Sequence, residues 1–345
     1  MNNLMIDKDY LINITKKLLT TPSPTGFCKN IMNIIDEEVS SMGYQLEKTK
    51  KGNGHIFIKG KTDYTVAIAS HVDTLGAMVR SITNDGKIKL TSIGGFTMNS
   101  IENEYVTIHT RKGSKFNGTV LINEPSVHVS RDSGKVERIE KNMEIRLDER
   151  VSSKEDVEKL GIFPGDFISF DPRTKYFENG YLKSRHLDDK ASAGIILAFL
   201  KMLKENNIEL SCNIFVLFST YEEVGHGATS LPDGIDEFLA LDMGAMGDDL
   251  STLEHQVSIC AKDSSGPYDY DMVTKLIELA RDNELDFAVD IYPHYGSDVS
   301  AALRAGNDIK GALIGPGVHA SHSIERTHID GMINTLKLLF LYLLN

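Results

Sequence analysis

The sequence has no tryptophan, three cysteines and no apolar run long enough to span a bilayer. Cys28, Cys212 and Cys260 lie far apart and form no C-x-x-C. That spacing argues against both a disulfide framework and a thiolate zinc site. Cys212 precedes an apolar run and Cys28 sits in an amphipathic pattern, so both read as small core residues. The formal net charge is −12, which leaves no basic stripe to neutralise phosphates and argues against a nucleic-acid partner. The opening MNNLMIDKDYLINITKKLLTT lacks the apolar core and cleavage pattern of a secretory signal. The longest apolar stretch, TLKLLFLYLLN, is too short to cross a membrane. The expectation is a cytoplasmic protein with no membrane partner. Its 345 residues, 41% hydrophobic and 25% charged, suffice for one large or two modest globular domains.

Hydrophobic periodicity predicts helices in DKDYLINITKKLLTT and CKNIMNIIDEEVSSMG, the latter stopped by Gly43. Strands are expected in YQLEKT, GHIFIKG and YTVAIAS, the last apolar enough to be buried on both faces. Beyond His71 the pattern changes to short alternating runs separated by turn residues: KIKLTSI, EYVTIHTRKG, FNGTVLIN, DFISFDP and YLKS. One short helix, SKEDVEKLG, falls among them. Alternation of helix and strand resumes at DDKASAGIILAFLKMLKENN. It continues through SCNIFVLFST, EFLALDMG, DYDMVTKLIELARDNEL, DFAVDIY, VSAALRAG and DIKGALIG to the closing IDGMINTLKLLFLYLLN. The expected fold is therefore α/β: a central sheet flanked by helices, built from residues 1–75 and 183–345, with a small β-rich domain over 76–182 inserted into it.

Polar residues gather at the predicted strand ends, where open α/β sheets place their sites. TVAIAS runs into His71-Val72-Asp73, NIFVLFST into Glu222-Glu223, and EFLAL into Asp242. IKGALIG leads to His319 and His322, while Asp188 and Asp189 open a helix. Imidazoles and carboxylates without thiolate suit hard or borderline divalent ions, and a bridging carboxylate between two ions would explain the crowding. In H-x-D, residues two apart on an extended chain point the same way, so Asp73 can accept from the ring nitrogen of His71 that is not on metal. In Glu222-Glu223 the neighbours diverge, so Glu223 can ligate while Glu222 faces the substrate as general base. Each motif has an ordinary reading too. H-x-D can be structural, D-D-K at a helix start is a common cap, and E-E-V-G is a common solvated turn. His186, His226 and His328 read as non-ligands. What the ordinary readings do not explain is the convergence of four strand ends on one ligand chemistry.

SHVDTLG, LDDKASAG, YEEVGHGA, ALDMG and HASHSIERTHIDGMINTLKLL occur in this order. Over the whole chain they resemble the tetrahedral, or glutamyl-type, aminopeptidases, a family of dinuclear metallopeptidases some of whose members carry endoglucanase labels. The resemblance implies two divalent ions per subunit (Zn, Co or Mn), with His71 and Asp242 on one, Glu223 and His322 on the other, and Asp188 bridging. Asp189 would follow Asp188 through an unusual peptide bond, Asp73 would orient His71, and Glu222 would be the general base. His322 is preferred to His319 because it opens H-S-I-E, a His-Ser pair followed closely by Glu as in the family. Thr74 and Leu75 stand where typical members have Glu-Ile, Lys190 where Arg is common, and V-H-A-S where an Arg-Tyr pair is common. The implied activity is removal of the N-terminal residue from short peptides by a dodecameric homo-oligomer. The two ions would acidify a bridging water, whose proton Glu222 takes and later gives to the leaving amine. The free α-amine would be held by an ion or a nearby carboxylate. Asp298 is a weaker candidate for pocket polarity.

Two other classes of function use parts of the same residue set. Glycoside hydrolysis needs only two carboxylates, but it leaves His71, Asp242 and His322 unused, and 8% aromatics without tryptophan offer little platform for sugars. A non-catalytic metal-binding or assembly protein would not need the Glu222–Glu223 pair. Carboxypeptidase action or deacylation of small amides would use the same metal site.

Overall fold

The computed structural model describes residues 6–344. Its organising element is the strand Thr65–His71, all seven residues of which are buried. Parallel neighbours flank it on both sides: Asn213–Ser219 on one and Glu237–Leu241, followed by Lys310–Val318, on the other. Gly54–Ile58 and Val257–Asp263 pair antiparallel at the two flanks, making the ten-stranded sheet mixed. Strands so apolar require cover on both faces. The helix Leu187–Glu205, buried along most of its length, supplies cover together with Lys8–Leu19 and Ile329–Leu344. Each fully buried Leu, Ile or Phe here contributes about 1.5–3 kcal/mol relative to exposure. The mixed α/β fold class matches the expectation.

Between Gly76 and Phe170 the chain makes a closed barrel. Its strands run in the order Gly76–Ile82, Ile88–Ile93, Met143–Leu147, Lys115–Ile122, Tyr105–His109 and Phe167–Phe170. The barrel has its own core, including Val79, Ile88, Leu90, Ile108, Val120, Ile145 and Ile168. Closure removes the free strand edges that alternating β segments would otherwise expose. The chain then rejoins the larger body: Tyr181–Ser184 pairs with Glu325–His328.

Among the described residues, four strands longer than two residues were not anticipated from the sequence: Gly76–Ile82, Met143–Leu147, Val257–Asp263 and Glu325–His328. MEIRL looks too charged for a buried strand, yet Glu144 is buried because Lys87 and Lys89 reach it at 2.9 and 3.2 Å. YQLEKT shrinks to the two-residue strand Glu47–Lys48. Among the described residues, no helix is long and apolar enough to cross a membrane.

Candidate metal centre and active site

The four parallel strands end side by side, Ser219 in register with His71 and Leu241 with Ile314. The loops that follow them therefore share one rim. Gly315 makes this possible: a Cβ there would lie 1.6 Å from the carbonyl oxygen of Asp242, so any side chain would push the Asp242 strand end aside.

His71 is buried against Asp188, with Nε2 3.0 Å from Oδ1. The other oxygen of Asp188 lies 3.2 Å from Nε2 of His322. One carboxylate thus spans two imidazoles with its two oxygens. Glu223 Oε2 stands 3.6 Å from His322 Nε2, and Glu222 Oε2 stands 3.7 Å from His71 Nε2. Donor atoms of His71, Asp188 and Glu223 lie within 4.8 Å of one another, as do those of His71, Asp189 and Asp242. The Asp188–Asp189 peptide is cis. All of the sequence-nominated residues except Asp73, His319 and Asp298 meet in this cluster through their side-chain donors.

The role of Asp73 differs from the expected one. The ring N–H of His71 at Nδ1 meets the main-chain carbonyl of Asp73 at 2.9 Å, while the carboxylate lies farther away, at 3.6 Å. That carboxylate instead accepts the backbone N–H groups of Glu222 and Glu223, at 3.1 and 3.3 Å, and the Thr25 hydroxyl at 2.6 Å. One residue therefore fixes the ring with its backbone and the Glu-Glu turn with its side chain. Asp298 does not border the cavity. It sits behind the turn, accepting from the Ser219 hydroxyl at 2.5 Å and the Ala228 N–H at 2.9 Å. His319 is exposed and its main chain exchanges hydrogen bonds with Arg326, away from the cluster.

Glu325 and Gly95 escaped the sequence reading as participants, and Asp189, nominated there for its peptide bond, also acts through its carboxylate. Glu325 is buried and accepts from the N–H groups of Asp188 at 3.1 Å and His322 at 3.0 Å. The H-S-I-E pattern was its signal. Asp189 accepts the His71 N–H at 3.2 Å, and its second oxygen is buried with no clear hydrogen-bond partner among the described residues. Gly95 offers its carbonyl to Nδ1 of His322 at 2.5 Å, and nothing in the sequence marks it.

The electrostatics call for positive charge. Burial, reinforced by Asp188, pushes Glu223 up to about 8 and Asp242 up to about 7. Burial likewise drives Glu222 and Asp189 well above the carboxylate range. For His71 and His322 burial opposes charge, yet the bond to Asp188 prevails: His71 is raised well above the imidazole range and His322 to about 10. Carboxylates this crowded, a buried oxygen with no clear partner and an oxygen-and-nitrogen donor set fit divalent ions. A second group, His255, His328 and Asp330, fits less well. Both nitrogens of His328 are already engaged, by the Asn179 carbonyl at 2.9 Å and the Asp330 N–H at 3.1 Å.

Beside the first cluster opens a cavity of about 430 Å³ bordered by Met243, His294, Tyr295, Gly296 and Arg304. A donor set of this kind, at the carboxyl ends of parallel strands and next to such a cavity, defines the class of metal-dependent hydrolases.

Comparison with known proteins makes the class specific. Residues 52–338 match the family model described as M42 glutamyl aminopeptidase. The chain is 46% identical over 333 residues to the Bacillus subtilis (strain 168) protein named "Putative aminopeptidase YhfE", covering 96% of each. An aminopeptidase from the archaeon Desulfurococcus kamchatkensis superposes with a TM-score of 0.89 at 22% identity, covering 98% of this chain and 95% of that one. The TET1 peptidase of Pyrococcus horikoshii, whose structure is described as assembling into a tetrahedron or a large octahedral shell, gives 0.86 at 23% identity, with 97% and 99% covered. The chain belongs to the M42 glutamyl aminopeptidase family. It is a metal-dependent aminopeptidase.

Proposed function

We propose that the protein removes N-terminal residues from short peptides with two divalent ions (Zn, Co or Mn) per subunit. His71 and Asp242 would hold one, Glu223 and His322 the other, with Asp188 placed to serve both. The observation that carries this reading is the pair of Asp188 oxygens directed at two separate imidazoles, 3.0 and 3.2 Å away. When bound, the ions supply Lewis acidity to the peptide carbonyl and lower the pKa of attacking water.

The chain supplies the rest. Glu222, fixed through its N–H to Asp73, takes the proton from the attacking water. It returns that proton to the leaving amine. Asp73, Asp189 and Glu325 hold backbone N–H groups of the residues around the ions. The cavity beside Tyr295 and Arg304 takes the N-terminal side chain. Residues 76–182, containing the barrel, act as a separate domain for assembly and substrate access, by likeness to the shells described for Pyrococcus horikoshii TET1 peptidase. The absence of long apolar helices among the described residues and the three free thiols suit work in the cytoplasm.

The test uses one short peptide, free and N-acetylated, with chelator-stripped protein and again after Co or Zn is restored. Loss of single residues from the free peptide alone, and only with metal, is expected. Equal cleavage of the acetylated peptide, or cleavage by stripped protein, would refute the reading.

A further inference from the structure

His71 and His322 are oriented by different parts of the molecule. The partner of His71 is the strand end two residues ahead. The partner of His322 is Gly95, which lies just beyond the barrel strand Ile88–Ile93. His322 itself is half-exposed, in a loop with a φ of +63°, a conformation that non-glycine residues adopt only when held there. Gly94 also lies in the left-handed region, at +78°, and a Cβ on it would stand 2.5 Å from Leu75 and 3.5 Å from the Glu223 carbonyl oxygen. The Gly94-Gly95 turn thus touches both residues assigned to the second ion.

The turn is fixed from behind by Arg185, a buried guanidinium just ahead of the Asp188 segment. Its Nε donates to Glu104 at 2.9 Å, and its remaining nitrogens donate to the carbonyls of Ser100 and Ser323. Glu104 and Ser100 belong to the barrel segment, while Ser323 follows His322. Arg173 holds the second oxygen of Glu104 at 2.7 Å, so this buried charge is fully paired. The Arg185 guanidinium stacks 5.8 Å from the Phe170 ring, which meets Phe96 edge-on. Arg185 therefore ties the loop carrying His322 to the segment carrying Gly95.

Building on the two-ion reading above, we propose that Arg185 is a positioning residue for the second ion. By holding Ser100, Glu104 and Ser323 together it keeps the Gly95 carbonyl on Nδ1 of His322. That bond keeps the proton on Nδ1 and turns Nε2 toward Asp188 and Glu223. The barrel is thereby part of the metal site, and not only a neighbour of it.

The experiment is a Co²⁺ titration of the stripped full-length protein, with equilibrium dialysis and elemental analysis to count ions and rank their affinities. Wild type should bind two ions and His322→Ala one, and failure of that arm overturns the two-ion reading and the inference with it. Arg185→Met should weaken the second ion about tenfold or more and leave the first unchanged, with Arg185→Lys recovering part of the loss. Gly94→Val disturbs the same turn without touching Arg185 and should give the same selective loss, which decides the matter if Arg185→Met does not fold. Wild-type affinity for both ions in folded Arg185→Met and Gly94→Val would overturn the proposal. So would equal weakening of both ions, which would mark general damage.

Discussion

The two imidazoles of the site differ in how they are secured. His71 is 2% exposed, sits on the last residue of the central strand and is held by its own segment. His322 is 36% exposed, sits in a loop and depends on Glu325, the Gly95 carbonyl and the contacts behind them. The first is a by-product of sheet formation: once the parallel strands pair, His71 has no other place to be. The second must be assembled from segments that the sheet does not fix. The candidate metal centre thus has one half as rigid as the core and one half as adjustable as a loop.

Glu222, 3.7 Å from His71 and next in sequence to Glu223, should show the largest effect. Glu222→Gln keeps the shape of the side chain but removes the proton acceptor, and kcat should fall by roughly 10²- to 10⁴-fold. The ion content should stay at two, as measured by elemental analysis. A Gln variant with normal turnover would place the base elsewhere.

The comparison itself is broken or upheld by two alanines. His71→Ala leaves buried carboxylates without their partner, at a cost of about 3–5 kcal/mol. His322→Ala removes a half-exposed ring and should cost about 1 kcal/mol. Thermal unfolding of the stripped proteins should therefore rank His71→Ala well below His322→Ala. Similar melting temperatures would mean that the two halves are equally built into the core.

A smaller effect concerns pH. Burial raises Glu223 and Glu325 to about 8 and Asp242 to about 7, all above their unfolded values. The native stripped protein then binds more protons than the unfolded chain, and its stability falls as pH rises from about 5 to 8. The raised His322 acts in the same direction above pH 6.5. The lowered Asp188 acts oppositely, but only in more acidic solution. Bound cations favour the ionised carboxylates and should flatten the trend. Melting temperatures of stripped and Co-loaded protein across this range provide the check, and parallel slopes would contradict it.

Much of this arrangement was legible in the chain. His71, Asp188, Glu222, Glu223 and Asp242 were legible because each follows an apolar strand or opens a helix, and strand ends in an α/β sheet must gather on one rim. His322 was separable from His319 only through the Glu325 three residues on, whose carboxylate receives the His322 N–H. Alternation revealed β structure between residues 76 and 170 but not barrel closure, since closure depends on pairings such as that of Thr107 with Ser169. The swap at Asp73, carbonyl for carboxylate, was also invisible. Both atoms belong to one residue, and the choice is made by where the Glu222 and Glu223 amides lie. Gly95 acts through its main-chain carbonyl and Arg185 grips those of Ser100 and Ser323, and main-chain carbonyls carry no sequence identity at all.

The central strand has a further consequence, for biosynthesis. Thr65–His71 is made early, but its partners Asn213–Ser219 and Glu237–Leu241 follow roughly 150 residues later. At ordinary translation speeds of about 5–20 residues per second, this apolar segment waits many seconds with both edges unpaired. The nascent chain is thus a natural client for chaperones. On the proposed ligand assignment, the site is complete only once the loop carrying His322 has emerged.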